Sequence, residues 1–150
     1  GTRQMAQALF DGAAQESGVA VRLLHASQAH AADVLAADGL VFATPENLAA
    51  MSGQLKDFFD RCYYDVLDQV NGRPYAALVC AGSDGQGAIR QIERIATGWR
   101  LRAVAPALVV CTHAQTREAI AAPKHIAPDD LARCQALGEA LAGGLALGVF

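Results

Sequence analysis

Between Gly39 and Arg61 the chain passes from an apolar run through a proline turn into an amphipathic stretch, and few folds accept that succession. Gly39-Leu40-Val41-Phe42-Ala43 is continuous and of strand length, the pattern of a strand covered on both faces. Thr44-Pro45 is predicted to end it, because proline cannot continue a central strand. A loop then crosses Asn47 to Ser52, with Ser52 as the predicted N-cap of a helix. Leu55, Phe58, Phe59, Cys62 and Val66 recur at the spacing of one helix face. A covered strand, a polar loop at its carboxyl end and a returning helix are the parts with which an open α/β sheet holds a ligand.

The same succession repeats along the chain. Thr2 to Ser17 reads as a helix with Met5, Leu9 and Ala13 inward, ended by Gly18. Val19–Leu24 is a predicted strand near a sheet edge, and Ala31–Ala37 a short helix. After the turn Asn71-Gly72-Arg73-Pro74 comes a buried strand, Tyr75–Ala81. It opens into the polar glycine loop Gly82–Gly87, followed by a helix with Ile89, Ile92, Ala96 and Trp99 on one face. Pro106 interrupts the last strand, whose firm part is Ala107–Cys111. Gln115–Ala127 is a long connection. Pro128 then stands at the first position of a helix, with Asp129 and Asp130 at its positive end and Leu131, Cys134, Leu137 and Leu141 inward. Apolar strands joined through helices by short connections imply parallel pairing with helices on both faces.

Composition narrows the partners. With 53% hydrophobic and 18% charged residues over 150 positions, the chain suits one domain around a buried sheet. A net charge of −3 carries no basic footprint for nucleic acid. No apolar run approaches the roughly 20 residues of a membrane helix. Cys62, Cys80, Cys111 and Cys134 lie far apart on apolar faces, where thiols pack as small hydrophobes and point to a reducing cytoplasm. His25, His30 and His125 do not form a metal-ligand spacing.

Three segments carry a family likeness. Thr44-Pro45 followed by Met51-Ser52-Gly53-Gln54-Leu55-Lys56-Asp57-Phe58-Phe59-Asp60-Arg61 resembles the flavin-contacting loop and helix of the flavodoxin-like NAD(P)H-dependent FMN reductases and quinone reductases. Cys80-Ala81-Gly82-Ser83-Asp84-Gly85-Gln86-Gly87 resembles their second flavin loop, and Gly1-Thr2-Arg3-Gln4-Met5-Ala6 the end of their phosphate loop. The resemblance implies a three-layer α/β flavodoxin-like domain with an open parallel five-stranded sheet in the order 2-1-3-4-5. It also implies that the first strand and most of the phosphate loop lie upstream of Gly1. FMN is the implied cofactor and NAD(P)H the donor, with a quinone, flavin or other small molecule as acceptor and a homodimer or homotetramer as the assembly.

Carried onto this sequence, the likeness gives Gly1 and Thr2 to the FMN phosphate. Thr44, Pro45, Glu46, Asn47, Leu48, Met51 and Ser52 would lie along one side of the ring, and Ala81, Gly82, Ser83, Asp84 and Gly85 along the other. For Glu46 the alternative is a solvent-facing side chain. His113, after the last strand, is a candidate contact for substrate or nicotinamide, although the chemistry strictly requires no acid–base side chain. Relatives often place an aromatic soon after the proline, where this chain has Asn47-Leu48-Ala49-Ala50, so stacking on one flavin face is expected to be weaker. Arg117 and Lys124 are expected to be solvated charges rather than phosphate ligands, and Tyr63, Tyr64 and Trp99 to serve packing or a subunit interface. Two alternatives stay open: a flavodoxin-type electron carrier, and a degenerate relative with weak or no flavin binding.

Overall fold

A computed structural model describes residues 1–150. In chain order its elements are α1 (Thr2–Ala13), α2 (Ala31–Ala36), β1 (Leu40–Asn47), β2 (Ala50–Met51), α3 (Gly53–Val66), β3 (Pro74–Ala81), α4 (Gln86–Gly98), β4 (Arg102–Ala103), β5 (Leu108–Cys111), α5 (Arg117–Ala121) and α6 (Pro128–Ala146). The sheet is built on β3, which pairs in parallel with β1 from Leu40↔Tyr75 to Pro45↔Cys80. On its other side β3 pairs in parallel with β4 and β5, the two pieces into which the last strand is split around Pro106. The architecture is the expected flavodoxin-like α/β sheet with helices on both faces.

All eight residues of β3 are buried, as the unbroken apolar run requires. Its side chains alternate between the two layers. Leu78 and Cys80 meet Met5 and Leu9 of α1 and Cys134 of α6. Ala77, Val79 and Ala81 face the larger core, where α3 contributes Phe58, Phe59 and Cys62 and α4 contributes Ile89, Ile92 and Ala96. Trp99 closes that core edge-on to Phe59, ring centroids 5.2 Å apart, so it serves packing. Burying side chains of this size stabilises by about 1.5–3 kcal/mol each. No helix is long and apolar enough to cross a membrane.

Four local expectations need correction. Val19–Leu24 forms no strand and leaves Leu23 and Leu24 exposed. None of the five strands of the sheet pairs with it. The first helix stops at Ala13 rather than Ser17, since the polar residues Gln15-Glu16-Ser17 offer nothing further to bury. β1 does not end at Thr44-Pro45 but continues to Asn47, because Glu46 and Asn47 pair antiparallel with Met51 and Ala50 of β2. The connection after β5 contains α5, whose first turn is capped by Thr116 Oγ1 accepting from Ala119 N–H at 3.1 Å.

Candidate functional site

β1, β3 and β5 all finish at one edge of the sheet, in register at Pro45↔Cys80 and Ala81↔Cys111. The loops that leave them therefore share that edge, and the start of α1 joins them there. Gly1 approaches Cys80 so closely that an added Cβ would lie 2.2 Å from its Sγ. Gly1 is the N-cap of α1 and brings no side chain to it. Such a helix start is a ready acceptor for an anion.

The segment after β1 is a tight hairpin rather than an open loop. Thr44 is fully buried, and its hydroxyl accepts from the Ser52 N–H at 3.0 Å while donating to the Pro45 carbonyl at 2.9 Å. One side chain thus ties the start of the hairpin to its end. Ser52 caps α3 as predicted, its Oγ accepting from Leu55 N–H at 3.2 Å. Met51 N–H donates to Gln91 Oε1 at 2.9 Å, which fastens the return arm to α4. β2 pairs with β1 at Asn47↔Ala50, so Leu48 and Ala49 form a two-residue turn with φ of 51° and 61°. Asn-Gly normally fills such a turn, and non-glycine residues hold this conformation at a cost of roughly 1–2 kcal/mol each. Leu48 stands at its tip, 102% exposed. Strain of this kind clusters where a ligand is clamped.

Glu46 does not simply face solvent, because its carboxylate is turned onto the Gly82–Gly87 loop. Its Oε2 accepts from Gly85 N–H at 2.7 Å and its Oε1 from Gly87 N–H at 2.9 Å and Ala88 N–H at 3.3 Å. The carboxylate caps α4, whose own N-cap is a glycine with no side chain and whose first turn holds no acid. That pattern of an uncapped helix was visible in the sequence, and an acid at the end of the neighbouring strand β1 was the group to look for. Two glycines make the join possible. Gly85 has φ +81°, and at Gly87 an added Cβ would sit 2.0 Å from the Ala49 carbonyl oxygen.

Ser83 and Asp84 are exposed above this junction, and Gly82 is half-buried. The Gly82 carbonyl accepts from His113 N–H at 2.8 Å, and the Ala81 carbonyl from Thr112 N–H at 2.9 Å. His113 is therefore at the same edge, exposed, with φ 55°. Burial pushes the thiols of Cys62, Cys80 and Cys134 up, which keeps them protonated as packing groups. Lys124 is spent on structure, its Nζ donating to the carbonyls of Ala119, Ile120 and Ala122. Arg117, Tyr63 and Tyr64 are exposed.

The sequence pattern of the NADPH-dependent FMN reductase family matches residues 26–116, more than half of the chain. The chain belongs to that family. In this FMN reductase family member the matched span holds the hairpin, the Gly82–Gly87 loop and His113, and leaves α1 outside. A flavodoxin from Aquifex aeolicus (strain VF5) is 36% identical over 86 residues, which is 57% of this chain and 46% of that protein. The match thus spans less than half of that relative's length. Among solved structures, a flavodoxin from the domain Archaea superposes with a TM-score of 0.75 at 18% identity, over 96% of this chain and 90% of the other. An NADPH-quinone reductase from P. pentosaceus superposes with a TM-score of 0.58 at 19% identity, over 91% and 88%. At such identities these likenesses speak for the fold, and the family match speaks for the chemistry.

Proposed function

We propose that this chain binds FMN at the carboxyl edge of the sheet and passes electrons from NAD(P)H to a quinone, a flavin or another small acceptor. Bound FMN supplies the hydride and electron transfer, and the protein supplies position and electrostatics. The residues fit that group. The N–H groups at the start of α1, with the Thr2 hydroxyl, suit a terminal phosphate. The hairpin from Thr44 to Ser52 and the loop from Ala81 to Gly85 offer backbone groups to a flat ring. Glu46 holds those two loops at a fixed separation and so acts as a positioning residue. Leu48, rather than an aromatic, is the apolar side chain presented at the hairpin tip. His113 stands on the open side, where substrate would arrive. A homodimer or homotetramer is proposed as the assembly.

The observation that carries the reading is the convergence of two tied loops and the start of α1 at one sheet edge, within a chain of this family. Titrating the full-length natural protein with FMN, followed by flavin absorbance and fluorescence, tests it. A saturable change at micromolar protein is expected, and its absence overturns the proposal. The likeness to the Aquifex flavodoxin favours one other reading, an electron carrier. Oxidation of NAD(P)H by the flavin-loaded protein alone separates the two, since a carrier shows none.

A further inference from the structure

Behind the hairpin, between α3 and α4, lies a groove of about 670 Å³ whose charged lining residues are all cations. Lys56 comes from the first turn of α3, and Arg90 and Arg94 come from α4. The walls are the hairpin arm Ala49–Met51, Gly87 and Ile95, so the groove adjoins the candidate flavin site. On a chain with 15 acidic residues against 12 Lys and Arg, a cavity lined by three cations and no carboxylate is a departure.

The two arginines are unfavourably placed without an anion. Arg90 and Arg94 stand one helical turn apart, where like charges repel. Neither makes an ion pair, although five other pairs form in the chain. Lys56 sits at the positive end of the α3 dipole, offset only by Asp60 at 2.7 Å. A phosphate group between the two arginines would relieve their repulsion, and guanidinium forks match phosphate oxygens two at a time. The volume lies within the range of small-molecule sites.

We infer that this groove binds the phosphate-bearing end of a pyridine dinucleotide, whose nicotinamide reaches the flavin edge past the hairpin tip. The inference rests on the proposed reductase activity and names where its donor is held. Isothermal titration of the flavin-free full-length protein with adenosine 2′,5′-bisphosphate, and separately with ADP, tests it. The comparison is an Arg90→Gln, Arg94→Gln double variant, whose exposed side chains support no internal contact that the fold needs. Binding of either probe that weakens by roughly tenfold or more in the variant supports the site, since a charged hydrogen bond is worth that much. Stronger binding of the 2′,5′-bisphosphate assigns the groove to the 2′-phosphate of NADPH, and stronger binding of ADP to the pyrophosphate. No binding by the unmodified protein, or equal binding by the variant, overturns it. An enzyme that still reduces flavin with NADPH at unchanged KM in the variant keeps its activity and loses only this site. Groove binding in a protein that never oxidises NAD(P)H would instead keep the phosphate site and remove the reductase reading.

Discussion

The carboxylate of Glu46 accepts a 2.7 Å hydrogen bond from the backbone N–H of Gly85, 39 residues later in the sequence. Two further N–H groups of α4 complete the contact, so a side chain of β1 caps a helix that begins after β3. Hydrogen bonds to a charged group contribute about 1.5–3 kcal/mol, and here several act together. Glu46→Ala is expected to cost about 2–3 kcal/mol in urea unfolding, and Glu46→Gln, which keeps one acceptor oxygen, about half of that. An alanine variant with an unshifted midpoint would show that water replaces the cap at no cost.

Two glycine substitutions should move stability in opposite directions. Gly85 has φ +81° and no room for a Cβ, which would lie 2.7 Å from Val109 Cγ1. Gly85→Ala is expected to destabilise by about 1–3 kcal/mol. Gly98, in the last turn of α4, has nothing within 4 Å of an added Cβ. Gly98→Ala should gain up to about 1 kcal/mol. Thermal melts should rank Gly98→Ala above wild type and Gly85→Ala below it, and any other order contradicts the backbone geometry.

The hairpin turn offers a cleaner test of strain. Ala49 holds φ 61°. Glycine adopts that conformation freely, so Ala49→Gly should stabilise by about 0.5–1 kcal/mol despite the added freedom of the unfolded chain. A loss of stability on this change would mean that the Ala49 methyl group contributes more packing than its turn costs.

Thiol reactivity should separate the cysteines. Cys111 is half-buried, whereas burial raises the thiol pKa of Cys62, Cys80 and Cys134. Native protein at pH 8 is expected to present one fast thiol to Ellman's reagent and the other three only on unfolding. Three or four fast thiols would contradict the packing described for β3, α3 and α6.

Acid sensitivity has one identified source. The His30 N–H bond, followed by the Arg22 guanidinium, holds the Asp33 carboxyl below its ordinary value. Its contribution is present above the unfolded carboxylate pKa of about 3.9 and is lost as pH falls through the lowered native value. Asp33→Asn should therefore lower the unfolding midpoint at pH 7 and change it less at pH 3. Equal effects at both values would show that the side chain acts by packing alone.

How legible this molecule was depended on whether the signal was local. The run Tyr75–Ala81, the helix face from Leu55 to Val66 and the Ser52 cap were readable because periodicity and capping are properties of neighbouring residues. The break at Pro106 was readable because proline removes a ladder donor. Val19–Leu24 was misread because a strand needs a partner and β-branched composition cannot provide one. The role of Glu46 was missed because its partners lie on a different loop, brought close only by the parallel register of β1 on β3. Lys124 was placed at the surface, but its grip on the end of α5 depended on a helix the sequence did not announce.

The carboxylate cap on α4 also gives the crevice a direction. Ser52 caps the start of α3 and Glu46 the start of α4, whereas α1 begins on Gly1, which brings no side chain to it. A long ligand with one charged end therefore meets attraction at one pole and an already neutralised helix at the other. With the cation groove on the far flank, two phosphate-bearing ligands would lie with their charges apart and their uncharged rings together.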